Sequence, residues 1–394
     1  MFPILADTAS SLATVSGPVP RIESILIKPA SAVCNLDCEY CFYLDRAADP
    51  YADLAERTMS TDMLERLVDG FMFYSWPNSA FAFQGGEPTL AGLGFFETLV
   101  RLQQHYGRNG QYVSNSIQTN GILLDKDWCA LFRGYSFLIG LSLDGPEEIH
   151  DRYRFNKAGH GTASKVIDAV RLLQNEKIEF NVLCVVSKAN VAKAREVFRF
   201  FRKLGIDYVQ FIPLAEFHPD GSPMPFTITA GEYGKFLCEM FDLWWPERRK
   251  MGVRGFENIA EAVAGRKPGT CTMHESCDSY AVVEYNGDVY PCDFFVEKPW
   301  KLGNIETDTW AEIARRQRRA GFAAKKSVPH AECAVCEYQN ICHGGCPKLR
   351  HGPNRSFEDL DYFCGAYKQI FKKAIPPLEK EVRKILAAEA AQRR

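Results

Sequence analysis

Long apolar runs are missing from this chain. None approaches the roughly eighteen consecutive apolar residues of a membrane-spanning helix, so no membrane partner is expected. A charge excess is missing too: 47 Lys and Arg face 49 Asp and Glu, a net charge of −2. Proteins that grip polyanions concentrate basic charge, so no nucleic-acid partner is expected. The start, Met1 to Pro20, lacks both a basic n-region and a long apolar core. It does not read as a secretory signal, and its Ala, Ser, Thr and Pro predict a flexible tail over 1–20. Cysteine is scarce through the long middle, where Phe42 to Thr270 holds only Cys129, Cys184 and Cys238. Their apolar surroundings, Val182-Leu-Cys-Val-Val186 for one, predict buried and inert thiols. Of the 14 cysteines, the other 11 (14 less these 3) fall into short spaced groups. A secreted disulfide scaffold is small and cysteine-dense throughout. Grouped thiols in a 394-residue globular chain instead predict metal ligation in a reducing compartment, the cytoplasm.

From about Ile22 to Leu214 strand and helix patterns alternate. Apolar runs recur at Ile25–Lys28, Ala80–Phe83, Tyr112–Gln118, Phe137–Leu143, Phe180–Val186 and Tyr208–Ile212. Runs of this kind suit parallel strands buried on both faces. After Asn190, residues Val191, Ala194, Val197, Phe198, Phe201 and Leu204 share one helix face, with Asn190 as N-cap and Gly205 past the end. Successive βα units predict an α/β fold, and the polar motifs follow the strands. Cys34–Cys41 follows the first, Gln84–Pro88 the second, Gln118–Gly121 the third and Ser142–Pro146 the fourth. In α/β barrels those strand ends hold the active site, so the four motifs are expected to share one cavity. The predicted units are an α/β barrel or open sheet over 21–225, a helical connector over 226–270, a cysteine-rich domain over 271–372 and an exposed charged C-terminal helix over 373–394.

Cys34, Cys38 and Cys41 have the spacing CxxxCxxC. Three thiolates cannot close a four-coordinate structural site. They fit a four-iron cluster with one iron open to a ligand, or zinc with a distant fourth ligand. A second group runs Cys333-x2-Cys336-x5-Cys342-x3-Cys346, then Cys364, with Cys271, Cys277 and Gly287-x4-Cys292 upstream. Eight cysteines divide evenly into two closed sites, either clusters or structural zincs.

The triad, with Tyr40 before its last cysteine, resembles the signature of the radical SAM superfamily, and the second group resembles its SPASM extension. The resemblance implies a partial (β/α)6 TIM-type barrel followed by a small domain with two auxiliary clusters. The implied cofactors are S-adenosylmethionine and three [4Fe-4S] clusters. Cys271, Cys277, Cys292 and Cys346 would hold one auxiliary cluster, and Cys333, Cys336, Cys342 and Cys364 the other. Gly85, Gly86 and Glu87 would hold the methionyl amino group. Ser142 and Arg154 would hold its carboxylate, a task that suits the planar guanidinium fork. Gln118 and Asn120 would reach the ribose, and Tyr40 belongs to the same cofactor shell. Standing alone, Glu87 would be a turn carboxylate and Arg154 a surface cation.

Closer strings, among them Cys41-Phe-Tyr43, Phe83-Gln-Gly-Gly-Glu-Pro-Thr-Leu90 and Tyr290-Pro-Cys-Asp-Phe294, resemble the anaerobic sulfatase-maturating enzymes from about Ile25 to Lys372. That resemblance implies oxidation of a cysteine or serine in an unfolded or nascent sulfatase polypeptide to Cα-formylglycine. A 5′-deoxyadenosyl radical would take a Cβ hydrogen, and an auxiliary cluster could accept the second electron. A flavodoxin or ferredoxin-type protein would be the reductant. Asp293 would be the base, with Tyr43 and Gln84 near the substrate. As local readings, Asp293 is equally a hairpin aspartate bonded to backbone NH groups and Tyr43 a packing aromatic. Two rivals remain. One is a SPASM enzyme that cross-links or epimerises a precursor peptide, and the other is a non-catalytic iron–sulfur carrier or zinc scaffold.

Overall fold

The computed structural model describes residues 22–43, 51, 57–319, 321–328 and 330–392. The expected tail over 1–20 lies outside them. Six strands, β1 (Ser24–Lys28), β2 (Asn78–Phe83), β3 (Tyr112–Thr119), β4 (Leu138–Ser142), β5 (Phe180–Val186) and β6 (Tyr208–Pro213), pair side by side in chain order. All five pairings are parallel. Helices Thr61–Ser75, Leu93–Tyr106, Lys126–Gly134, Ala163–Asn175 and Ala194–Leu204 return the chain between them. The core-facing side chains of the strands are apolar and covered: Ile25, Ile27, Phe81, Phe83, Ile139, Leu141, Val182 and Val209 are all buried. This is the expected α/β partial barrel of six units.

The remaining strands extend the same sheet. They are β7 (Gly252–Val253), β8 (Tyr280–Glu284), β9 (Asp288–Tyr290) and β10 (Gly303–Asn304), and the order across the sheet is β10-β9-β8-β1-β2-β3-β4-β5-β6-β7. β8 runs parallel to β1 from Ser24↔Tyr280 to Lys28↔Glu284, and β9 folds back antiparallel on β8. A partial barrel leaves the NH and C=O groups of its first strand unpaired, and β8 takes them up. The cysteine-rich region is thus joined to the barrel by main-chain bonds at β1.

Three expectations are corrected. The helix after β5 begins at Ala194, not next to Asn190. Asn190 is buried instead, with Oδ1 accepting from Ser187 N at 2.9 Å and Nδ2 donating to the carbonyls of Asp144 (3.0 Å) and Val185 (2.8 Å). These loop groups need a buried partner more than the helix needs a cap. Gly205 does close that helix in the left-handed region, with φ 73°. The C-terminal helix spans Cys364–Gln392, so it starts earlier than its charged end announces. Its first half buries Ala366, Ile370, Phe371, Ala374 and Leu378 and packs on helices Ala230–Trp244 and Arg254–Val263. Cys129 and Cys184 are fully buried, but Cys238 is only half-buried.

A candidate active site at the strand ends

The loop after β1 carries the triad. It turns at Ser31 and pairs with the segment after β4, where Asp37 N donates to Phe155 O and Glu39 N to Tyr153 O, both at 2.9 Å. The glycine loop after β2 lies against it, with Gly86 N donating to Ser31 O and Glu87 N to Val33 O, both at 2.8 Å. A Cβ on Gly86 would lie 2.0 Å from Val33 O, so only glycine allows this approach. Glu87 is buried and links the loops after β2 and β3. Its Oε1 accepts from Thr89 Oγ1 (2.6 Å), Thr89 N (3.1 Å) and Thr119 Oγ1 (2.7 Å), and Oε2 accepts from Asn120 N at 2.8 Å. Burial pushes this carboxyl up, opposed by those donors.

After β4, Asp144 receives the Arg154 guanidinium, with Nε to Oδ2 at 2.8 Å, and the Tyr40 hydroxyl also donates to Oδ2. The Arg154 guanidinium lies 5.3 Å from the Tyr40 ring centre. Burial would raise Asp144, yet the Arg154 guanidinium and the hydrogen bond from Tyr40 outweigh it and hold the carboxyl below its usual range. His150 is fully buried beneath this pair, its Nδ1 accepting from Asp144 N at 3.3 Å and its Nε2 meeting Thr162 Oγ1 at 3.1 Å.

All of these loops open into one cavity of about 650 Å³. Cys34, Cys38, Cys41, Tyr40, Tyr43, Gln84, Gly85, Gly86, Glu87, Gln118, Asn120, Ser142, Arg154 and Asp293 all line it. Its far wall holds Cys271, Cys342 and Cys346. The volume falls within the roughly 300–1,000 Å³ of small-molecule sites.

Asp293 enters from the turn after β9 and is nearly buried. Its Oδ2 accepts from the Tyr43 hydroxyl and from Gln84 Nε2 (3.3 Å), and Oδ1 faces Lys28 Nζ at 3.6 Å. Lys28 also pairs with the fully buried Glu284 at 2.5 Å. Asp293 is therefore tied to side chains from β1, the triad loop and the β2 loop, not only to its own hairpin backbone.

The remaining cysteines gather in two places. Cys271, Cys277, Cys292 and Cys346 act on one another electrostatically, as do Cys333, Cys336, Cys342 and Cys364. The second set lines a small cavity of about 20 Å³. Burial pushes the thiols of Cys34, Cys38 and Cys277 up to about 11, and those of Cys342 and Cys346 up to about 12. Such thiols ionise only against a strong local cation, which suits metal ligation. Among the described residues no group of three or more His, Cys, Asp or Glu is gathered closely enough to hold a single metal ion.

Sequence reasoning missed Asp144, His150, Lys28, Glu284 and the buried cations Lys326 and Arg350. Lys28 carried a faint signal, a lone charge in the apolar run Ile25-Leu-Ile-Lys.

A three-thiol loop after the first strand, facing a cavity at the C-terminal mouth of a parallel partial barrel, places the chain in the radical SAM class. The model of the Radical SAM superfamily matches residues 29–201, and that of SPASM, an iron–sulfur cluster-binding domain, matches residues 271–337. The cysteine-type anaerobic sulfatase-maturating enzyme of Clostridium perfringens is 37% identical over 90% of this chain and 97% of its own length. The serine-type enzyme of Bacteroides thetaiotaomicron is 35% identical over 93% of each. A solved structure described as native anSMEcpe with bound AdoMet and Cp18Cys peptide superposes with a TM-score of 0.84, at 36% identity over 92% of this chain and 99% of that one. Streptococcus suis SuiB shares the fold alone, with a TM-score of 0.61 and 16% identity over 86% of this chain and 77% of that one. The chain belongs to the anaerobic sulfatase-maturating enzyme family of radical SAM oxidoreductases.

Proposed function

We propose that the protein oxidises a cysteine or serine in a sulfatase polypeptide to Cα-formylglycine. The observation that carries this reading is Asp293. A nearly buried carboxylate held by Tyr43, Gln84 and Lys28 opens into the same cavity as the triad.

The residues fit the groups the family requires. Cys34, Cys38 and Cys41 would hold one [4Fe-4S] cluster. Gly85, Gly86, Glu87, Ser142 and Arg154 would receive the methionine end of S-adenosylmethionine, with Gln118 and Asn120 beside the ribose. Cys271, Cys277, Cys292 and Cys346 would hold a second cluster, and Cys333, Cys336, Cys342 and Cys364 a third. Two sets of four thiols match the full cysteine ligation of four-iron clusters. When bound, these groups supply a carbon-centred radical that takes one Cβ hydrogen and a sink for the remaining electron.

The chain supplies positioning and proton transfer. Asp144 and Tyr40 hold Arg154 in place, so the guanidinium can meet a carboxylate without searching for its rotamer. Gln84 and Tyr43 flank the substrate side chain, and Asp293 takes its thiol or hydroxyl proton. Loss of a hydrogen atom, a proton and an electron turns the CH2–SH group into a thioaldehyde, and water then replaces sulfide. A serine gives the aldehyde directly. A flavodoxin or ferredoxin-type protein in the cytoplasm would supply the reducing electron.

The test is mass spectrometry of peptides carrying the Cys-x-Pro-x-Arg motif and its serine version. They are incubated anaerobically with reconstituted enzyme, reductant and S-adenosylmethionine. Formylglycine matched by 5′-deoxyadenosine is the expected result. Deoxyadenosine with both peptides unchanged would move the substrate elsewhere.

A further inference from the structure

Lys326 stands in the short helix Phe322–Ser327 and is about 1% exposed. Its Nζ donates to the carbonyl oxygens of Cys271 at 2.7 Å and Thr272 at 2.9 Å. Two other buried cations have acidic partners: Lys28 has Glu284, and Arg154 has Asp144. Lys326 forms no ion pair with any carboxylate among the described residues; Arg350, equally buried, directs its guanidinium to the carbonyls of Gly344, Lys325, Lys326, Val328 and His343. Asp361, the buried carboxylate of this region, accepts from Cys346 N (2.8 Å) and Phe363 N (2.7 Å).

A buried ammonium without a counter-charge is heavily penalised. Lys326 grips the Cys271 backbone, and the groups that act on it electrostatically are Cys277, Cys346 and Cys271 of one cysteine set and the second buried cation, Arg350. We propose that Lys326 is the fixed counter-cation of the auxiliary cluster at Cys271, Cys277, Cys292 and Cys346, and that its charge raises that cluster's reduction potential. The inference rests on the cysteine assignment given under the proposed function. A four-iron cluster with four thiolates is anionic when oxidised and gains one further negative charge on reduction. A buried cation beside it stabilises the reduced form more, since net charge is one of the determinants of cluster potential. Lys326 is thus a positioning residue for the electron that leaves the substrate.

The experiment is an anaerobic redox titration followed by electron paramagnetic resonance, with iron content measured in parallel. Each protein carries Cys34→Ala to silence the triad cluster, and Lys326 is kept or changed to Met, Gln or Arg. Met and Gln should lower the reduction equilibrium constant of one auxiliary signal at least tenfold, 59 mV for a one-electron couple, and leave the other signal in place. Arg should stay near the parent. Gln keeps an N–H donor, so a parent-like Gln variant would overturn the charge argument. A fully iron-loaded Met variant with an unmoved potential would overturn it too. If the neutral variants lose one cluster's iron while Arg retains it, the counter-charge is needed for assembly and the proposal holds. Equal loss in Met, Gln and Arg would show a requirement for shape and would overturn it. A Cys34→Ala parent with no reducible auxiliary signal would refute the cysteine assignment itself.

Discussion

Replacing Gly86 with alanine tests the junction between the triad and the cofactor cradle. The added Cβ would lie 2.0 Å from Val33 O, 2.4 Å from Val33 C and 2.6 Å from Ala32 C. All three are backbone atoms, so no side-chain rotation relieves the clash. Reaching even 3.0 Å requires the two loops to part by about 1 Å, and overpacking of this kind costs about 1–3 kcal/mol. The displaced segments carry Cys34 on one side and Glu87 on the other, and a misplacement of about 1 Å can cost about 100-fold in rate. Gly86→Ala should therefore weaken S-adenosylmethionine binding by about 10- to 100-fold and cut 5′-deoxyadenosine formation by about 100-fold, while iron at the two proposed auxiliary sites stays bound. Gly94→Ala is the control, because it lies in helix Leu93–Tyr106 with nothing beyond its chain neighbours and own helix backbone within 4 Å of the new Cβ. It should bind and cleave like the parent. Equilibrium binding and product chromatography on anaerobically reconstituted proteins read both quantities. A Gly86→Ala enzyme within threefold of the parent in both would refute the close-approach reasoning.

Asp293→Asn should leave S-adenosylmethionine cleavage within a few-fold of the parent while formylglycine falls at least about 100-fold, near the lower end of general-base effects. Parallel measurement of deoxyadenosine and peptide mass separates the two, and equal product yields would reduce Asp293 to a hairpin residue. Cys34→Ala should abolish deoxyadenosine and leave about two thirds of the iron, since two of the three proposed sites remain. Iron loss at all sites, or residual cleavage, would contradict the separation of triad and auxiliary sites. His150 is held neutral by burial, which lowers its imidazole to about 4 from 6.5. Above 6.5 neither folded nor unfolded chain binds this proton, and its stabilisation is complete. As pH falls toward 4 only the unfolded chain takes the proton, so stability drops by about 1.4 kcal/mol per pH unit. Thermal midpoints at pH 6.5 and 5.5 should fall less in His150→Gln than in the parent, and equal falls would contradict a buried neutral imidazole.

The strands were legible because parallel strands covered on both faces write themselves as apolar runs, as Val182–Val186 does. The motifs were legible because each follows such a run. Asn190 was misread because its distance from the helix is decided by what the loops after β4 and β5 need, not by local capping chemistry. The pairing of β8 with β1 joins residues more than two hundred positions apart, and no local pattern encodes that register. The same holds for Lys28, Asp144 and Lys326. A single charged letter does not say that it will be buried, and only tertiary packing supplies its partner.

The β1–β8 pairing also bears on modularity. The edge strand of the radical-generating unit is completed by a strand that leads straight into the Asp293 hairpin. A chain cut before Cys271 would expose the main-chain groups of Ser24–Lys28 and strand Lys28 without Glu284. The two halves are therefore not interchangeable parts joined by a tether. Any cysteine-rich extension grafted onto this barrel must bring its own strand in the register of β1.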